Sequence, residues 1–322
     1  MENRREFIRK SVVLLASAQV SAVASAETQE YDFASAEIRE YNPLKSHNPK
    51  RVLVLWYSQT RNTRRYGLLI SKTLEKLGLS VDALDIRELK TERIKQYDMI
   101  IVGSPVFYYQ VPENVTDWLK QIPEINGVPV ASYVSYGGPE GNQHNVASSI
   151  LELLVEKGGV PVGMRAFKNI GTYPLSNWKS RGVQENLHLP NADTYEEVRE
   201  FAKVLITHVS KGESYKIVKE SSFREFSTHF NPVWWTSLGI EEHTIDKSKC
   251  VECGTCMRAC PTGAVDPFKG KVDRDACILC FGCLNNCTSN AVHIIHRGQK
   301  IYGFTQFLRK NRIQIKEPRE LL

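Results

Sequence analysis

The sequence predicts an α/β protein, a doubly wound parallel sheet followed by a small α+β unit organised around cysteine. Three observations carry this. Strand-like apolar runs and helix-like stretches alternate five times between residues 50 and 209. All eight cysteines fall between 250 and 287. Those cysteines repeat one spacing, displaced by 27 residues at every position.

Residues 1–26 read as a targeting segment. Arg4-Arg5-Glu6-Phe7-Ile8-Arg9-Lys10 resembles the twin-arginine export motif, a mildly apolar run from Ser11 to Val23 follows, and Ala24-Ser25-Ala26 offers a small-x-small cleavage site. The implied location is periplasmic, or otherwise outside the cytoplasm, reached after folding. An amphipathic helix of a cytoplasmic protein is the alternative. The run is too short and too polar for a membrane span, so no stable span is expected in the mature chain. The formal charge of +6 falls to +4 when Arg4, Arg5, Arg9 and Lys10 leave together with Glu2 and Glu6. So weak a bias, with no basic block interleaved with aromatics, argues against nucleic acid as a partner.

Residues 27–49 are polar, end in Asn42-Pro43 and Asn48-Pro49, and read as a linker. The sheet unit then occupies 50–209. Val52 to Tyr57 is a continuous apolar run suited to a parallel strand buried on both faces. A helix is expected over Thr63 to Leu77, stopped by Gly78. Strands follow at Leu79–Ile86, Met99–Val102, Val128–Val134 and Val160–Phe167, with helices at Pro112–Leu119, Asn145–Lys157 and Thr194–Val209. Lys168 to Ala192 has no clear period and reads as a long loop. Residues 210–243 read as a connecting segment in which Trp234-Trp235 pack at the junction. Residues 244–297 form the cysteine unit, and 298–322 a basic tail, either solvated or docking an acidic redox partner.

Cys250-x2-Cys253-x2-Cys256-x3-Cys260-Pro261 has the spacing of bacterial [4Fe–4S] ligation, and Cys277-x2-Cys280-x2-Cys283-x3-Cys287 repeats it. The duplication extends beyond sulfur: Thr262-Gly263-Ala264-Val265 recurs as Ser289-Asn290-Ala291-Val292, and Asp246 as Asp273. Three cysteines at two-residue intervals wrap a loop around three corners of a cube, and the fourth reaches across to the other cube. One cluster is therefore assigned to Cys250, Cys253, Cys256 and Cys287, the other to Cys277, Cys280, Cys283 and Cys260. Disulfides or zinc would use paired cysteines, but neither explains the third cysteine at the same interval, the duplication or Pro261. Thr288 stands where a second proline often follows the last cysteine. The eight histidines show no ligand spacing and read as structural.

The first strand ends in Tyr57-Ser58-Gln59-Thr60-Arg61-Asn62-Thr63, and here the chain resembles the flavodoxins, whose sheet has the order 2-1-3-4-5. The resemblance implies FMN, with Ser58, Thr60, Asn62 and Thr63 around its phosphate at a helix N-terminus. Arg61 departs from the pattern, which has glycine there; a side chain at that position strains the turn while adding a positive charge. The loop Gly103-Ser104-Pro105-Val106-Phe107-Tyr108-Tyr109 corresponds to one that covers a flavin face, with Tyr108 or Tyr109 stacking. The loop Ser135 to Asn142, with Tyr136, Gly137, Gly138 and Asn142, corresponds to the third flavin loop. Together the two units resemble a flavodoxin-like domain fused to a two-cluster ferredoxin. No G-x-G-x-x-G motif marks a nicotinamide site.

Three functions follow from that reading. The first is electron transfer, through two [4Fe–4S] clusters and FMN, between one-electron and two-electron partners: a redox protein or a small acceptor. The second is an FMN-dependent reductase of a quinone or other small acceptor. The third is a non-redox interaction protein that keeps its clusters as staples. The first needs no side chain acting as acid or base.

Overall fold

The computed structural model describes residues 41–138, 142–219 and 232–322. The targeting segment and residues 27–40 of the expected linker lie outside them. The five strands are β1 (Arg51–Trp56), β2 (Ser80–Asp85), β3 (Met99–Pro105), β4 (Pro129–Tyr136) and β5 (Val160–Lys168). They form one parallel sheet in the order β2-β1-β3-β4-β5, the flavodoxin order. The intervening helices are α1 (Asn62–Lys76), α2 (Glu113–Gln121), α3 (Gln143–Glu156), the short α4 (Arg181–Gln184) and α5 (Ala192–Lys211).

The apolar strand runs mean burial on both faces, and the pleat shows how. On β1, Leu53 and Leu55 pack with Ile100, Val130, Leu119 and Ile150 beneath α2 and α3. Val52 and Val54 point the other way, to Ile101, Tyr133, Leu69 and Leu205 beneath α1 and α5. All are fully buried, and each such side chain contributes roughly 1.5–3 kcal/mol by leaving water. This central sheet leaves its loops at the carboxyl ends of the strands free for other work.

The cysteine-rich half adds α6 (Pro232–Ser237), β6 (Ile240–Ile245), α7 (Thr255–Ala259), β7 (Val265–Asp266), β8 (Lys271–Val272), α8 (Gly282–Asn286), β9 (Val292–His296), β10 (Gln299–Ile301) and α9 (Phe304–Asn311). The 27-residue repeat governs its backbone. Left-handed residues occur at Glu252 and Leu279, Gly254 and Phe281, Gly263 and Asn290, and Gly270 and Arg297, each pair 27 apart. Alternating left- and right-handed residues turn successive N–H groups inward, the concavity an anionic cluster needs. The copies also exchange hydrogen bonds: Asp246 N donates to Ala291 O (2.8 Å), and Asp273 N to Ala264 O (2.7 Å). Each half is thereby completed by the other.

Four segments differ from their sequence reading. Residues 41–49, expected as linker, are fastened to the turns before β4 and β5: Lys45 N donates to Gly127 O (2.7 Å) and Asn42 Nδ2 to Gly158 O (3.2 Å). β6 begins inside the expected connecting segment, because Ile240, His243 and Ile245 are buried where it pairs with β9. Trp234 and Trp235 do not fill a junction. They meet edge to face (centroids 4.8 Å apart) and are about half exposed, at 52% and 49%.

The tail is packed along one side, although its basic residues Lys300, Arg309, Lys310, Arg312, Lys316 and Arg319 stay exposed. Phe304 and Phe307 of α9 close on Trp178, and the last residues then cross α1 and α5. Tyr195 Oη donates to Lys316 O (2.6 Å). Arg65, buried on α1, makes a bidentate pair with Glu317 (2.6 and 2.8 Å). Arg199 does the same with Glu320 (3.1 Å twice), which holds the Glu320 carboxyl down at about 2. Two acidic residues among the basic ones direct the segment inward.

Candidate functional site

A cavity of about 480 Å³ opens where the loops after β1, β3, β4 and β5 converge, a volume suited to a small-molecule site at the switch in strand order. Of the residues singled out from the sequence, Thr60, Asn62, Thr63, Pro105, Tyr108, Tyr109, Tyr136, Gly137, Gly138 and Asn142 line it. Residues 139–141 of the third loop lie outside the described residues. Ser58 and Ser104 are not in the wall. Ser104 is fully buried and its hydroxyl donates to Pro105 O (2.9 Å).

The phosphate loop enters α1 through Arg61 in the left-handed conformation (φ 69°), with no side chain capping the helix. The N–H groups of that first turn are left for an anion. Ser58 Oγ is buried without a hydrogen-bond partner, a donor that a phosphate oxygen would satisfy. These two observations fit the terminal phosphate of FMN. Asn62 and Thr63 are more committed than expected. Asn62 Nδ2 donates to Asn169 Oδ1 (2.9 Å) while its Oδ1 accepts from Arg65 Nη1 (2.8 Å), and Thr63 Oγ1 pairs with Ser135 Oγ (2.7 Å). They shape the cradle more than they supply free donors.

The strain at Arg61 is testable. A non-glycine residue here costs about 1–2 kcal/mol, and glycine returns about 0.5–1 kcal/mol of that as backbone entropy. Arg61→Gly is therefore expected to stabilise the chain by about 0.5–1 kcal/mol in chemical denaturation. The same variant loses a charge beside the cradle and should bind a phosphate dianion more weakly.

Tyr108 and Tyr109 divide the roles expected of either. Both backbones are left-handed. Tyr108 is directed into the cysteine-rich half: its hydroxyl donates to Leu279 O (3.1 Å), and its ring packs on Tyr173, which packs on Phe281. Tyr109 stays at the cavity rim, where Asn142 Nδ2 donates to its carbonyl (2.7 Å), and is the better placed to cover a ring. Three glycines let the backbones of the cavity wall close up. A Cβ on Gly137 would strike the Gly171 backbone, and one on Gly182 the Gly137 carbonyl.

The largest addition to the sequence reading is the far wall. Leu279, Cys280, Phe281 and Asn285 line the cavity, so the second cysteine run faces the loops after β1, β3 and β4 directly. The segment expected as a long loop supplies Gly171, Thr172, Tyr173, Ser176, Ser180 and Val183 to the wall as well. Sequence reasoning also passed over Gln59. The signal was a long amide between hydroxyl residues of a phosphate loop.

All eight cysteines are free, and they fall into two neighbourhoods. Burial pushes the Cys283 thiol up, and Cys280, Cys277 and Cys260 add to it. Cys280 is pushed up to about 12 by burial, with Cys277 and Cys260 again its cysteine neighbours. Cys256 is raised by burial, with Cys287 and Cys250 adding their charge. Cys253 is the exposed member, and its thiol is lowered, first by Thr255. The fourth cysteine of each run thus lies with the other run. Buried thiols that repel one another as thiolates need a cationic core to ionise together, and iron in a [4Fe–4S] cluster supplies one. Four thiols gather at Cys283 and three at Cys256, donors of the kind that group takes. His243 is no remote structural histidine: it is buried, with Nε2 3.4 Å from Cys283 Sγ.

A model of the 4Fe-4S binding domain matches residues 243–266. No curated protein sequence matches the chain. Among solved structures, a flavodoxin from the domain Archaea is similar at 20% identity and a TM-score of 0.37, covering 49% of this chain and 98% of that one. Oxidised flavodoxin 1 from Bacillus cereus is 17% identical with a TM-score of 0.39, covering 49% and 99%. The rubredoxin oxygen:oxidoreductase of the anaerobe Desulfovibrio gigas is 16% identical with a TM-score of 0.40, covering 52% of this chain and 38% of that one. Among the described residues no helix is long and apolar enough to cross a membrane. The chain joins a five-stranded sheet of flavodoxin order to an iron–sulfur segment of the 4Fe-4S binding type.

Proposed function

We propose that this is an electron-transfer protein that holds two [4Fe–4S] clusters and FMN, serving one-electron and two-electron redox partners outside the cytoplasm. One observation carries the reading: the cavity walled by the flavin-type loops is also walled by Leu279, Cys280 and Phe281, part of a cysteine run. Two redox groups held there would share a wall with no solvent layer built in. When bound, the clusters supply one-electron chemistry and FMN supplies either one- or two-electron chemistry. The chain's own residues orient and insulate. Ser58 and the α1 N-terminus would hold the phosphate, and Tyr109 would cover the ring. Tyr108, Tyr173 and Phe281 seal the seam, and burial keeps water from Cys280 and Cys283.

A second reading, reduction of a quinone or other small acceptor, is favoured by the wall that residues 171–183 add to the cavity. Turnover of soluble quinones by reduced protein separates it from the first.

The test is composition of anaerobically purified protein. About eight iron, eight sulfide and one FMN per chain are expected. Zinc, or no metal, would sink the proposal. Twin-arginine export predicts a mature chain beginning at Glu27 and found outside the cytoplasm. Replacing Arg4 and Arg5 by Lys should leave full-length protein inside, and an unaltered distribution would refute that route.

A further inference from the structure

The two cysteine runs are copies, yet their surroundings are not. Thr262 beside Cys260 is matched by Ser289 beside Cys287, each hydroxyl 3.6 Å from sulfur. Around Cys280 the symmetry breaks. Its counterpart Cys253 is exposed, whereas Cys280 lies against two side chains from the end of β1. Gln59 is buried, and its Nε2 donates to Cys280 Sγ (3.4 Å) and to Ala259 O (3.2 Å). Asn286 Nδ2 donates to Gln59 O (2.9 Å), fixing the backbone from the cysteine side. Tyr57 is fully buried, and its hydroxyl accepts from the Gln59 amide, holding it beside Cys280. The cysteine loop is cut to admit this pair: a Cβ on Gly282 would collide with the Gln59 side chain.

Reduction adds one electron to a cluster that is already anionic. Burial opposes that charge, and donors aimed at ligand sulfur favour it. Duplicated sequence alone would give two clusters of similar potential. A donor delivered to one of them and not to the other shifts that one.

We propose that Gln59 is a tuning residue, positioned by Tyr57: through its hydrogen bond to Cys280 Sγ it raises the reduction potential of the cluster held by Cys260, Cys277, Cys280 and Cys283, and of that cluster alone. This rests on the two-cluster reading above. At the cluster nearest the flavin cavity, the Gln59 amide thereby offsets part of the penalty that burial places on reduction.

The experiment is a potentiometric titration of full-length holoprotein with dithionite as reductant, followed by EPR, on wild type, Gln59→Leu and Tyr57→Phe. Each variant is expected to lower one of the two midpoints, so that at a fixed potential the reduced-to-oxidised ratio of that cluster falls about tenfold, or 59 mV for one electron. The other midpoint stays in place. Both midpoints unchanged in both variants, or both shifted together, would overturn the inference while leaving the two-cluster reading intact. Wild-type protein with one cluster or none would overturn both. Iron content of each variant guards against misloading, and Tyr57→Phe, which deletes a single oxygen, stands if Gln59→Leu fails to load.

Discussion

Replacing Cys260 with Ala should cost the chain the cluster of the second cysteine run, not its own. Iron and sulfide should fall from about eight to about four per chain. Native-state alkylation followed by peptide mass analysis should then find Cys277, Cys280 and Cys283 newly reactive, with Cys250, Cys253 and Cys256 protected. Cys287→Ala should give the mirror pattern. The expectation follows from the neighbourhoods that burial and mutual charge define, Cys260 with the second run and Cys287 with the first. The reciprocal hydrogen bonds of Asp246 and Asp273 hold the crossing in place. Freed Cys250, Cys253 and Cys256 in Cys260→Ala would mean that each run keeps its own cluster.

Trp178→Ala should give the largest loss of stability of any change outside the cysteines and the sheet core. The indole is 2% exposed and stacks on Phe307 at 4.5 Å and 15°. It also packs on Phe304 and Tyr302, and its Nε1 donates to Tyr302 O (3.0 Å). Truncating so buried an aromatic costs about 3–5 kcal/mol. The effect should reach the cavity, because Trp178 pins the segment that supplies Thr172, Tyr173 and Ser180 to its wall. Urea unfolding should show the loss, and the affinity for FMN, bound as proposed, should fall by about tenfold, about 1.4 kcal/mol. Phe307→Ala should reproduce much of it, and the double variant should fall short of the sum because the two rings share one contact. An unchanged flavin affinity would separate the plug from the cavity.

Much of the fold was legible because its signals are local and repetitive. Apolar runs of strand length, helices closed by glycine, and a 27-residue duplication each leave a trace within a short window. The structure reproduces the five strands and the sheet order. Arg61 was legible for the same reason: one position in a turn demands a left-handed backbone, and the residue there is not glycine. What escaped is non-local. Nothing in the neighbourhood of Gln59 says that its amide ends 221 residues away at Cys280. The fate of the tail turned on Glu317 and Glu320 among many basic residues, and composition averages such exceptions away. Two adjacent tryptophans looked like filling, yet the structure leaves both half exposed. β6 was hidden because its polar outward positions, Glu241 and Glu242, resemble linker as much as strand.

The crossing of the C-terminal residues over α1 bears on how the chain can be divided. Arg65 sits 5% exposed in the sheet half, and its carboxylate partner is Glu317, near the other end of the polypeptide. A fragment ending after α5 would retain the guanidinium and lose both its counter-ion and the segment that covers it. The sheet is made first on the ribosome, yet Arg65 has no carboxylate partner until Glu317 emerges, after every cysteine has been synthesised. Dissection at the seam between the halves would thus leave Arg65 without its carboxylate, and the two halves are best regarded as one cooperative piece latched beyond the last cysteine.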